Sequence, residues 1–152
     1  LRDKGYEGDN PWHDFANAGL DQDGDIASGW LYGNSHLPAN IAEEDSETPW
    51  LTREAIKFLK EKADSDKPWL CHVSYIKPHW PYIVPAPYHD MYGPNSFLAP
   101  IRDRAELDVP HPIYAAFTQN AIGKAFSDTE VREKVLGAYM GLIKQIDDQM
   151  GL

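Results

Sequence analysis

The chain has 152 residues and a formal net charge of -10, with 42% hydrophobic, 12% aromatic and 25% charged residues. This composition is typical of a globular protein rather than a disordered one. The acidic charge repels nucleic-acid phosphates, and no apolar run reaches the roughly 18 residues of a membrane span, so we expect neither partner. A single cysteine excludes an internal disulfide framework and is compatible with a cytoplasmic location.

The first 47 residues show little periodicity, and Gly, Asn, Asp and Pro interrupt them throughout. Within them, residues 21–25 read Asp-Gln-Asp-Gly-Asp, which has a superficial similarity to a calcium loop. The glycine is misplaced for an EF-hand, and Tyr32 stands where the bidentate glutamate would fall. The sequence therefore predicts a hairpin turn at 21–25, with a short strand over 26–32.

A helix followed by a buried strand is predicted next. Thr48 reads as the N-cap and Pro49 as the first helical residue, and apolar residues at helical spacing carry the helix to about Ala63. Residues 69–76 are almost continuously apolar and aromatic, as in a strand that is covered on both faces. Helix, short loop and buried strand together indicate an α/β unit.

The residues after this strand predict an ordered, extended loop. Four prolines between 77 and 88 forbid a regular helix or a central strand. Beyond the loop, a helix is expected over about 113–126, interrupted by Gly123. Ser127 and Glu130 have the spacing of a capping box, and the apolar stripe that follows predicts a long last helix.

Two side chains of this loop are the candidate site residues. Lys77 and His79 stand at the carboxyl end of the predicted strand, where open α/β sheets bind their ligands. A histidine there can move a proton or bind an anionic oxygen, and a lysine can bind the same oxygen as a point charge. The alternative is a structural loop of prolines and aromatic residues in which the histidine is incidental.

The same segment, residues 74–82, resembles the Lys-Pro-His-x-Pro segment of sulfatases and their relatives. The similarity extends over essentially the whole chain with one branch, the phosphonate monoester hydrolases, which are also phosphodiesterases. Residues 8–15, 45–49 and 139–150 look like that branch. The chain thus resembles an internal part of a sulfatase-type member of the alkaline phosphatase superfamily.

The resemblance implies an α/β fold, part of the α/β/α sandwich in which a large mixed sheet lies between helices. Residues 1–152 would be an internal portion of a single catalytic domain, with sequence missing on both flanks. The resemblance implies that His79 contacts the transferred group or the leaving-group oxygen, and that Lys77 is a weaker candidate for substrate binding. It also implies a formylglycine nucleophile and a divalent metal ion (Mn, Ca, Mg or Zn).

The motifs that would supply the nucleophile and the metal ligands are not found in these 152 residues. We therefore expect no activity from this segment alone. From the resemblance, we expect the intact protein to hydrolyse phosphonate monoesters and phosphodiesters, which are small anionic esters, and to be a homo-oligomer. A sulfatase is the close alternative. A non-catalytic binding module with an aromatic surface around Trp80 and Tyr82 is the second.

Overall fold

The computed structural model describes residues 1–108 and 110–152. Its α-helices are α1 (Glu47–Lys62), α2 (Pro112–Gln119), α3 (Ala121–Ser127) and α4 (Thr129–Met150), and its strands are β1 (Ala18–Leu20) and β2 (Ile26–Ser28). A π-helix covers Trp12–Ala16, and 3-10 helices cover Arg2–Lys4, Tyr32–Asn34, Glu43–Asp45, Tyr88–Asp90, Pro94–Ser96 and Arg104–Leu107. None of the described helices is long and apolar enough to cross a membrane.

Strands β1 and β2 form an antiparallel hairpin around the predicted turn. The Asp21 carboxylate accepts hydrogen bonds from the backbone N–H groups of Asp23 and Asp25, at 3.0 and 2.9 Å. Gly24 supplies the left-handed conformation of the turn, with φ of 84°. The hairpin prediction is confirmed, although the second strand ends at Ser28 because the chain soon enters a 3-10 helix.

Helix α1 is confirmed with its start two residues earlier than predicted. Ser46, rather than Thr48, holds the N-cap position, and its hydroxyl donates to Glu43 O at 2.7 Å. The 3-10 helix at 43–45 leads directly into α1, which moves the boundary upstream. Thr48 is instead buried inside the first turn, where its carbonyl accepts from the Thr52 hydroxyl at 3.1 Å.

The predicted helix over 113–126 forms as two helices, α2 and α3. Asn120 separates them in an extended conformation, and its side chain accepts from the Gly123 N–H at 2.7 Å as the N-cap of α3. A Cβ on Gly123 would lie 2.4 Å from Phe117 O, so a larger residue would force the two helices apart.

Helix α4 begins one residue later than the predicted capping box requires. Asp128 is the N-cap, and its carboxylate accepts from the N–H groups of Glu130 and Val131 at 2.8 and 3.4 Å. Ser127 belongs to α3, where its hydroxyl donates to Lys124 O at 2.6 Å. A carboxylate at this end also interacts favourably with the helix dipole, which explains why the aspartate prevails.

Replacing Asp128 with alanine is expected to lower the free energy of unfolding by about 1 kcal/mol, because two N–H groups of α4 lose their acceptor. Ser127→Ala is the matched control and is expected to have a smaller effect. Denaturant midpoints of both variants measure the difference. A larger loss in Ser127→Ala than in Asp128→Ala would show that the serine caps the helix.

The core lies on both sides of the loop segment 83–84. Ile83 packs with Ala39 and Ile41, and Val84 packs with Tyr88 and Leu142 of α4. Ile83 and Val84 are 1% and 0% exposed, so this loop is the centre of the described structure rather than a surface excursion.

The strand predicted over 69–76 is wrong, because these residues form neither strand nor helix. Leu70 is 92% exposed and Ile76 is 56% exposed. A strand exists only where a neighbour accepts and donates its backbone hydrogen bonds, and no described segment pairs with this one. The contact between Tyr75 OH and Thr52 Oγ1, at 2.8 Å, still ties the segment to α1.

Candidate active-site loop

The loop that carries both candidate residues is anchored by its own sequence. Pro81, Ile83, Val84 and Pro85 are buried, and Ala39 N donates to Val84 O at 3.0 Å. Proline restricts φ, so the four prolines reduce the conformations open to the loop. The order predicted for the loop therefore comes from burial as well as from the prolines.

His79 is exposed at the turn that begins this loop, and its backbone N–H donates to Ile76 O at 3.0 Å. Its Nδ1 lies 2.6 Å from Trp80 O. A carbonyl oxygen can only accept, so Nδ1 carries the hydrogen and the lone pair of the neutral ring is on Nε2. Nε2 is thus the nitrogen left to take up a proton, and in the protonated ring it can donate to an anionic oxygen.

Lys77 is half-buried, and its amine donates to Pro81 O at 2.7 Å. Burial lowers the pKa of Lys77 to about 8, and the attraction of Glu47 opposes this change. Burial raises the pKa of Glu47, and Lys77 in turn opposes that change. Substrate binding by Lys77 stays a prediction, and in the structure its amine is committed to the loop backbone.

An aromatic cluster supports the loop from one side. The Trp80 ring packs edge-on against Trp30, with ring centroids 4.5 Å apart. The centroid of the Trp80 ring lies 6.1 Å from that of Tyr32. Tyr32 also contacts Tyr82 and Phe126, at 6.2 and 4.9 Å. Trp80 is half-buried in these contacts, so its ring packs within the aromatic cluster. Binding by an aromatic surface stays a prediction.

Within residues 1–108 and 110–152, no group of three or more His, Cys, Asp or Glu side chains comes together that could hold a metal ion. Of the carboxylates in 21–25, that of Asp21 accepts backbone hydrogen bonds within the hairpin turn. These residues therefore do not fit a divalent metal centre.

No role was predicted from the sequence for Asp148. Its carboxylate accepts from the Tyr88 hydroxyl at 2.9 Å and also from the Lys144 amine. The hydrogen bond from Lys144, followed by that from Tyr88, lowers the pKa of Asp148, while burial raises the pKa of Tyr88 to about 12. The i, i+4 spacing of 144 and 148 indicated the ion pair, but nothing in the sequence indicated Tyr88.

Comparison with solved structures gives a match along nearly the whole chain. The phosphonate monoester hydrolase SpPMH from Silicibacter pomeroyi superimposes with a TM-score of 0.77 and 27% sequence identity, over 99% of this chain and 30% of that one. The predicted fold class, part of an alkaline-phosphatase-like hydrolase fold, is confirmed by this match.

Curated proteins give the same result at the level of sequence. The multifunctional alkaline phosphatase superfamily protein PehA of Trinickia caryophylli is 30% identical over 132 residues, which are 78% of this chain and 25% of that protein. An arylsulfatase of Clostridium perfringens is 26% identical over 149 residues, 91% of this chain and 26% of that protein. No family model matches the chain.

The chain therefore spans about a quarter of the length of these curated relatives. The similarity includes the loop that carries His79, since the structural match covers 99% of the chain.

Proposed function

Since this chain resembles sulfatase-type hydrolases of the alkaline phosphatase superfamily over nearly its whole length, we propose that the protein hydrolyses phosphonate monoesters and phosphodiesters. The observation that carries the proposal is the match to a phosphonate monoester hydrolase at a TM-score of 0.77. The proposed ligand is a small anionic ester. We also propose that residues 1–152 are an internal part of one catalytic domain, in a homo-oligomeric, cytoplasmic protein.

His79 has the central role among the described residues. Its Nδ1–H is held by Trp80 O, so Nε2 is the nitrogen left to take up a proton, and in the imidazolium form it can donate that proton to a non-bridging oxygen or to the departing alkoxide. Both interactions strengthen as charge develops in the transition state, and such interactions raise the rate rather than only the affinity.

The nucleophile and the metal belong to the proposal but not to this segment. A divalent metal ion would neutralise charge on the transferred group, and a formylglycine would supply the nucleophile. The described residues do not converge as metal ligands, and the sequence lacks the motif from which a formylglycine is made. We therefore propose that the metal ligands and the formylglycine lie in sequence outside these 152 residues.

Sulfate ester hydrolysis is the second candidate function. The observation that favours it is the similarity to an arylsulfatase over 91% of this chain. Phosphonate, phosphodiester and sulfate esters all present anionic oxygens to which a protonated Nε2 of His79 can donate, so His79 suits each of them.

The test is a substrate comparison with the full-length protein that contains this chain. An aryl phosphonate monoester, an aryl phosphodiester and an aryl sulfate share one leaving group, so kcat/KM compares only the transferred group. We expect the phosphonate and the phosphodiester to be preferred, loss of turnover on chelation, and no turnover by the 152-residue segment alone. Preference for the sulfate would favour the second candidate, and no turnover of any ester would refute both.

A further inference from the structure

Two consecutive carbonyl groups of the loop receive side-chain donors. Trp80 O accepts from His79 Nδ1 at 2.6 Å, and Pro81 O accepts from Lys77 Nζ at 2.7 Å. The His79 ring is oriented by the first carbonyl, and the adjacent carbonyl is fixed by the lysine. The two carbonyls belong to adjacent peptide planes that meet at the Pro81 Cα atom, and the proline ring restricts φ there, so ψ of Pro81 is the one soft torsion between them.

The position of Lys77 supports a role inside the loop rather than at a substrate. His79 is exposed, whereas Lys77 is half-buried and already donates to the backbone. Burying an ammonium group is costly unless it is paired and hydrogen-bonded, and here Pro81 O supplies the bond and Glu47 the nearby negative charge.

We propose that Lys77 is a positioning residue, whose hydrogen bond to Pro81 O holds the 77–81 loop so that His79 keeps its Nδ1–H on Trp80 O and presents Nε2 to the substrate. The catalytic part of this inference rests on the proposed function. Lys77 acts through His79 and touches no reacting atom.

A double-mutant cycle in the full-length protein tests the coupling. Lys77→Met keeps the length of the side chain and removes the donor, and it is expected to lower kcat/KM by roughly one to two orders of magnitude. In a His79→Ala background the same change is expected to cost about twofold or less, since the residue it positions is absent. Equal losses in both backgrounds would overturn the proposal and give Lys77 a direct role.

Lys67→Met is the matched control, because Lys67 is an exposed lysine whose Nζ makes no hydrogen bond or salt bridge to any described residue. It is expected to leave kcat/KM unchanged. Lys77→Arg keeps a charge and donors, and it is expected to retain more activity than Lys77→Met at comparable thermal stability. A Lys77→Arg variant as impaired as Lys77→Met would contradict the positioning role.

A second readout does not depend on hydrolysis. The ¹⁵N chemical shifts of the neutral His79 ring are expected to show the Nδ1–H tautomer in the wild type and a mixture of tautomers in Lys77→Met. An unchanged tautomer in Lys77→Met would overturn the proposal. If no ester is turned over, the proposed function fails, and this measurement still decides the role of Lys77.

Discussion

Replacing His79 with alanine is expected to lower kcat/KM for ester hydrolysis by the full-length protein roughly 10²–10⁴-fold, the range for a positioned acid, base or oxyanion donor. His79 is exposed, and its Nδ1–H is fixed on Trp80 O, so the variant loses the ring nitrogen Nε2 that carries and transfers the proton. The expectation is measured by steady-state kinetics, with metal content unchanged because His79 is not proposed as a ligand.

The leaving group separates the two possible roles of His79. If Nε2 protonates the departing oxygen, the loss shrinks for good leaving groups such as nitrophenolate, because they need little protonation. If Nε2 only stabilises a non-bridging oxygen, the loss is similar for all leaving groups.

His36→Ala is the matched control for the histidine prediction. His36 is also exposed, and its Nδ1 also lies against a backbone carbonyl, Gly33 O, at 3.0 Å. It lies outside the 77–81 loop, so the expected kcat/KM is that of the wild type. Near wild-type activity of His79→Ala on every ester would remove His79 from the mechanism.

Local signals in the sequence predicted the helices and turns well. The Asp21 carboxylate and Gly24 formed the predicted hairpin turn, and the apolar stripe after Ser127 formed α4. Boundaries moved where two polar residues competed for one cap, as when Asp128 took the position expected for Ser127. These features depend on neighbours within a few residues, which a single sequence displays.

Features that depend on distant partners were predicted less well. The apolar pattern of 69–76 indicated a buried strand, but a strand also needs paired neighbours, and no described segment supplies them. Conversely, the proline-rich loop was expected to be ordered, but the sequence did not indicate that Ile83 and Val84 would be the centre of the core.

In the candidate site, too, the sequence predicted local features and missed those that depend on how the chain folds. The motif located His79, while the hydrogen bonds that define its free nitrogen and commit the Lys77 amine to Pro81 O could only be seen in the structure. The side-chain geometry of a loop depends on how its backbone folds back on itself, and the residue types alone do not determine that path.

Replacing Gly141 with alanine is expected to lower the free energy of unfolding by about 1–3 kcal/mol, the usual cost of overpacking a tight contact. Helix α4 crosses the loop at this residue, where an added Cβ would lie 2.4 Å from Tyr88 O and 3.2 Å from Val84 Cγ1. The first distance is too short for two non-bonded atoms, and the neighbour is backbone, so the helix or the loop has to move. Elsewhere in a helix, alanine is about 1 kcal/mol more favourable than glycine. A destabilised Gly141→Ala variant would therefore point to the close approach rather than to helix propensity.

Gly141→Ala is also expected to weaken other contacts between the loop and the same face of α4. Asp148 lies about two turns after Gly141, and its bond with the Tyr88 hydroxyl depends on the same spacing between helix and loop. Gly33→Ala is the control, because an added Cβ there meets no heavy atom within 4 Å, and its midpoint of unfolding is expected to stay near that of the wild type. A stabilised Gly141→Ala variant would show that helix propensity outweighs the close approach, and that α4 and the loop are less tightly packed than this geometry requires.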